Sequence, residues 1–98
     1  MTISKEINGT DMTVALSGRL DTNTAPELEK ELSGYFDEID TITMDFAELD
    51  YISSAGLRVL LSVHKNMAKK GGMKVTNVNS IINEIFEVTG FTDILNIE

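Results

Sequence analysis

The sequence predicts an α/β fold of two layers, a four- to five-stranded mixed sheet with helices mainly on one face. Three observations predict it. Segments alternating apolar and polar residues are interleaved with segments of helical apolar spacing, in the order β-β-α-β-α-β-α. The pair Asn8-Gly9 favours the type I′ turn of an antiparallel hairpin between the first two strands. The later strands alternate rather than being apolar throughout, as expected of a sheet covered on one side.

Each element has its own signal. Ile3 and Ile7 mark the first strand, and Met12-Thr13-Val14-Ala15-Leu16 the second. Thr24-Ala25-Pro26-Glu27 reads as a capping box, with Thr24 as N-cap, Glu27 three residues on and proline in the first turn. The helix it opens carries Leu28, Leu32 and Tyr35 or Phe36 on one stripe. Thr41 to Phe46 alternates as the third strand. A second helix follows Ser53-Ser54, with Leu57, Leu60, Leu61, His64 and Met67 on one face and Gly71-Gly72 at its end. Met73 to Thr76 is the fourth strand. Asn79 or Ser80 caps a third helix containing Ile81, Ile82, Ile85 and Val88 and stopped by Gly90. The tail Ile94-Leu95-Asn96-Ile97 fits either a short strand or a last helical turn. If the strands lie in chain order, right-handed crossovers put the connecting helices on the same face.

Composition bounds the function. Residues 1–98 read as one domain, and no apolar run approaches the ~20 residues of a membrane span. The first residues lack the apolar stretch of a signal peptide, so a cytoplasmic protein without membrane insertion is expected. The chain has no cysteine, which excludes disulfides, thiolate metal sites and cysteine nucleophiles. Its formal charge of −8 argues against nucleic acid and for a basic surface on a protein partner. Lys65, Lys69 and Lys70 form the only basic cluster and read as a solvated helix face. Met12, Met44, Met67 and Met73 fall on expected buried faces.

Loops that follow parallel strands leave the sheet at the same edge, where ligands and partners usually bind. Three meet there: Gly18 to Asn23, Glu48 to Gly56, and Asn77 to Asn79. The topology therefore brings Asp21 near Ser53 and Ser54. A serine before a helix is a common N-cap. Neither serine has Glu or Gln three residues later, so no capping box accounts for the pair. The alternative is phosphorylation. A phosphoryl group at a helix N-terminus meets unpaired amides and the positive end of the macrodipole. It would add about −1.5 to −2 charges beside Asp21 and Asp50 and exclude a docked partner. Gly56 would leave backbone amides open to approach, or serve tight packing.

The segments VALSGRLDTNTAPELE, TITMDFAELDYISSAGLRVLL and GGMKVTNVNSIINEIFEVTGF resemble, in this order along the chain, the bacterial anti-sigma factor antagonists of the STAS domain family. The resemblance covers nearly the whole chain and implies a small STAS-like sheet packed by helices. It implies an anti-sigma factor serine kinase as partner, which phosphorylates the loop before the second helix. The unphosphorylated antagonist binds the anti-sigma factor, and a PP2C-type phosphatase restores that form. Gly56-Leu57 anchor the family pattern, which places the phosphoacceptor at Ser54, with Ser53 as second choice. Asp21 matches the aspartate of the second-strand loop. Ser53 stands where the family usually has an acid, and Ala55 replaces a second hydroxyl. Leu20, Asp21, Thr22, Ser53, Ala55, Gly56 and Leu57 are the expected partner-binding residues, on a monomer without cofactor.

Other classes fit less well. A serine hydrolase needs a base within hydrogen-bond reach. The only histidine, His64, lies ten residues further along Ser54's helix, roughly 15 Å away at about 1.5 Å per residue. No Walker A loop, G-x-S-x-G elbow or G-x-G-x-x-G fingerprint is present. A magnesium site of Asp21, Asp45 and Asp50, as in a phosphoaspartate receiver, is a weaker alternative. A STAS subunit of a lipid-transport or stress-signalling complex is another.

Overall fold

The computed structural model describes residues 1–98. Its elements are β1 Thr2–Asn8, β2 Asp11–Leu20, α1 Ala25–Ser33, β3 Thr41–Ile52, α2 Ser54–Ala68, β4 Gly72–Thr76, α3 Ser80–Thr89 and β5 Asn96–Ile97, with a 3₁₀ turn at Phe91–Asp93. The five strands lie in chain order. β1 runs antiparallel to β2 through the expected hairpin, with Asn8 opposite Asp11 and Gly9 at φ +63°. The other neighbours are parallel. Each crossover advances one strand in the same direction, so right-handed connections stack α1, α2 and α3 on one face.

The register explains the two layers. Met12 pairs with Ile42 and Val14 with Met44, and these continue to Met73 and Val75. All six are buried and form one apolar face. Thr13, Thr43 and Lys74 share a row of the opposite, uncovered face. Leu28 and Leu32 of α1, Leu60, Val63 and Met67 of α2, and Ile82 and Phe86 of α3 close over the apolar face. Phe46 meets Phe86 with ring centroids 6.5 Å apart, and no polar side chain is buried.

The structure corrects several sequence expectations. β3 does not stop at Phe46 but continues to Ile52, and β2 continues to Leu20. The loop expected from Glu48 to Gly56 is therefore reduced to Ser53. Two register shifts relative to β2 insert extra residues into β3, one before Glu48 and one before Tyr51. Bulges of this kind break the two-residue alternation. The buried positions become Phe46, Leu49 and Ile52, spaced by three.

Thr24 does not form a capping box with Glu27. Its backbone is already helical and its side chain caps nothing, because it is turned back into the preceding loop. α1 ends at Ser33, and Tyr35 and Phe36 pack half-buried in the following turns. Lys70 is not on a solvated helix face: α2 ends at Ala68, and its ammonium donates to the carbonyls of Phe36 and Ile39. The tail is a 3₁₀ turn followed by a two-residue strand, anchored by buried Leu95.

Candidate functional site at the mouths of the first two helices

The carboxyl ends of β2 and β3 lead into α1 and α2. Leu20 and Ile52 are opposite each other in register, and Leu20 O accepts from the Ser53 amide at 2.9 Å. This bond ties the two helix mouths together. Asp21 and Ser54 flank it, on the residues next to Leu20 and Ser53.

At the first mouth the polar groups are mutually satisfied. Asp21 Oδ1 accepts from the amides of Asn23 at 3.0 Å and Thr24 at 3.1 Å. The Thr24 hydroxyl accepts from the Asp21 amide at 2.8 Å and donates to Arg19 O at 2.7 Å. Asp21 O accepts from the Ala25 amide, so Asp21 rather than Thr24 begins the helical bonding. Asparagine and aspartate turns of this kind supply the chain with acceptors that the helix start lacks. The Thr24 amide, helped by the Asn23 amide, the Thr24 hydroxyl and the nearby Arg19 guanidinium, holds the Asp21 carboxyl below its ordinary pKa, against partial desolvation. Asp21 is a fixed anion at neutral pH.

The second mouth is different. Ser53 is extended, with φ −89° and ψ 175°, and its Oγ accepts from the Gly56 amide at 3.3 Å. Ser53 is therefore the N-cap of α2. Ser54 is the first helical residue, exposed, and its hydroxyl is not engaged in the cap. The two adjacent serines thus have separate surroundings.

Gly56 settles an alternative left open by the sequence. A Cβ placed on it would lie 2.8 Å from both Leu20 O and Leu20 Cγ, and 3.0 Å from Ile52 Cγ2. The glycine serves tight packing of α2 on the strand ends, and is itself buried. Leu20 is fully buried and Leu57 nearly so. These residues shape the surface from beneath, while Thr22 and Ser54 are exposed and Asp21, Ser53 and Ala55 are half-buried.

Two further residues belong to this edge and carried no motif. The Arg19 guanidinium lies 4.4 Å from the centroid of the Tyr51 ring, and its Nε is 3.8 Å from Asp21 Oδ2. Arg19 and Tyr51 are opposite each other in register, a relation invisible until the bulges in β3 are known. Asp45 and Asp50 do not join Asp21. Asp45 accepts from Asn77 Nδ2 at 2.9 Å and from the Ala47 amide, and these bonds, Asn77's first, hold its pKa below the ordinary value. Asp50 is exposed in the second bulge. No three acidic or histidine side chains gather as metal ligands. His64 is half-buried on α2, with its Nδ1 buried and without a partner. Asn79, not Ser80, caps α3, accepting from the Ile82 amide and donating to Leu49 O, each at 2.9 Å.

Comparison with known proteins places this arrangement. The STAS domain pattern matches residues 2–98. The Bordetella bronchiseptica protein BtrV, provisionally named an anti-sigma factor antagonist, is 37% identical over 81 residues, covering 81% of this chain and 70% of BtrV. Among solved structures, an anti-sigma factor antagonist from Mycobacterium paratuberculosis superposes with a TM-score of 0.87 at 23% identity, covering 98% of this chain and 83% of that one. SpoIIAA, a Bacillus cell fate determinant and anti-sigma factor antagonist, matches in its unphosphorylated form with a TM-score of 0.85 and in its phosphorylated form with 0.78, each at 17% identity. These matches cover 99% of this chain and 88% and 91% of the two SpoIIAA chains. No helix is long and apolar enough to cross a membrane. With the family pattern spanning the chain and the sheet order, helix placement and close sequence relative all in agreement, this chain belongs to the STAS domain family.

Proposed function

We propose that the chain is an anti-sigma factor antagonist whose binding to an anti-sigma factor serine kinase is controlled by phosphorylation of Ser54. The observation that carries this reading is the division of labour between the two serines. Ser53 is occupied as the helix cap, whereas Ser54 presents an exposed hydroxyl at the first turn of α2, beside the fixed anion Asp21. In this reading residues 1–98 act as one non-enzymatic, monomeric domain in the cytoplasm.

The chemistry asked of this chain is small. The Ser54 hydroxyl attacks the γ-phosphorus of the kinase's ATP; an Oγ–P bond forms, the bond to the leaving ADP breaks, and the hydroxyl proton passes to a base on the kinase. The fold tolerates the product because the amides of Ser54 and Ala55 lie at the positive end of a 15-residue helix and precede its first internal bond. The partner does not tolerate it. A hydrated dianion next to Asp21 opposes any surface that matched the neutral hydroxyl. Asp21, Thr22, Ser53 and Ala55 are the proposed contact residues, supported from below by Leu20, Gly56 and Leu57. A PP2C-type phosphatase removes the phosphate. The names of BtrV and SpoIIAA, and the existence of SpoIIAA in both phosphorylation states, support the assignment.

Intact-mass analysis with peptide mapping, after incubation with the anti-sigma factor kinase of the same genome and ATP, tests it. One phosphate on Ser54 is expected, and none on the Ser54→Ala variant. An unchanged wild-type mass would overturn the reading.

A further inference from the structure

α3 is more apolar than one buried face requires. Ile82 and Phe86 fill the core, while Ile81 is 58% and Val88 81% exposed. Ile81, Ile85 and Val88 follow the i, i+4, i+7 spacing of a second stripe. That stripe does not face empty solvent alone. With Tyr51, Ile52 and Leu57 it forms a groove of about 520 Å³ between α3 and the start of α2. Three of the five exposed large hydrophobic residues, Tyr51, Ile81 and Val88, lie in this one place. Such clustering, unlike scattered exposed leucines, marks an interaction surface.

Two features identify the occupant. Ser54 itself lines the groove, so whatever docks on the Ser54 hydroxyl is carried across the apolar stripe. The only charged residue in the lining is Glu84, and α3 carries Glu84 and Glu87 without a base. A second copy of this chain, itself at −8, would bring these acids against their own equivalents in an isologous contact. The complement is an apolar side chain or two flanked by lysine or arginine.

We infer that the α2–α3 groove is the affinity-determining part of the kinase-docking surface, receiving an apolar, basic-flanked element of the anti-sigma factor kinase; this rests on the function proposed above. Asp21 and Ser54 then supply selectivity at one end, and the apolar stripe supplies binding free energy. Phosphorylation works on both, because a hydrated phosphate at the groove's end makes burial of an apolar anchor there costly.

The test is titration of the purified kinase with wild type, Ile81→Ser, Val88→Ser and the control Ile7→Ser, which alters an apolar residue 45% exposed on β1. Because all three side chains lie outside the buried core, thermal midpoints should stay near wild type. Ile81→Ser and Val88→Ser should each raise Kd about tenfold or more, as buried anchors do, and Ile7→Ser by less than about twofold. Wild-type binding with both groove variants within about twofold of it would overturn the inference while leaving Ser54 phosphorylation intact. Wild type sedimenting as a dimer that Val88→Ser dissociates would assign the groove to a second copy and overturn it as well. Absence of any wild-type binding would instead overturn the proposed function on which it rests.

Discussion

The mouths of α1 and α2 are neighbours, joined through Leu20 O and the Ser53 amide, yet they handle the same polar problem differently. At α1, the Asp21 side chain, the Thr24 hydroxyl and the amides of Asn23 and Thr24 satisfy one another. At α2 a single long bond from the Gly56 amide to Ser53 does the capping, and the next hydroxyl is left outside. The first mouth is a fixed anionic landmark. The second is a place where a group can be added without removing a bond that holds the fold. A phosphoswitch needs both, one part that stays and one that changes.

Substitutions can sharpen or break that contrast. The largest effect is expected beneath the second mouth. Gly56→Ala forces a methyl against the Leu20 carbonyl oxygen, a backbone atom that cannot rotate away. Overpacking of this kind costs about 1–3 kcal/mol and outweighs the helical preference for alanine, about 1 kcal/mol. Gly34→Ala, at the end of α1 with φ −71° and open space around it, should instead stabilise by about 0.4–1 kcal/mol. Urea unfolding of the two variants reads the difference, and equal shifts would break the packing account of Gly56.

The caps come next. Asp21→Ala removes the acceptor of two loop amides and should be the most costly of the three; Ser53→Ala should cost about 0.5–1 kcal/mol, and Ser54→Ala less than about 0.5 kcal/mol. If Ser54→Ala proved the most costly of the three, its hydroxyl would be structural. The acid limb of stability supplies a companion measurement. Asp21 and Asp45 have folded-state pKa values below their unfolded ones. Their contribution is full above about pH 4 and fades as pH falls through the lower folded values. Asp21→Asn should therefore lose less stability than wild type between neutral pH and about pH 3.

Much of this was legible in the residues. The Asn8-Gly9 hairpin, the alternation of β2 and the first half of β3, the buried methionines and the glycine stop at Gly90 all follow from local chemistry that the tertiary structure leaves undisturbed. The second half of β3 was not legible because its bulges replace a spacing of two by one of three, which reads as loop. That loss hid the Arg19–Tyr51 pair as well. Thr24 misled because its hydroxyl is engaged in the preceding turn, accepting from the Asp21 amide and donating to Arg19 O, and not in the helix. At the site, the residues Asp21, Ser53 and Ser54 could be named from sequence, but which serine caps and which is exposed depends on where the helix starts. The apolar surplus of α3 was visible as five hydrophobic residues in ten, yet only burial separates the core pair from the exposed stripe.

The measurement that bears most directly on the account is a kinase titration followed by two-dimensional amide spectra, run with the unmodified and the Ser54-phosphorylated protein. The account predicts that both free forms give dispersed spectra differing mainly around Leu20–Thr24 and Ser53–Leu57. It also predicts that only the unmodified form binds tightly, with the phosphorylated one weaker by about a hundredfold, roughly 3 kcal/mol. Equal affinity of the two forms, or collapse of the spectrum on phosphorylation, would contradict it.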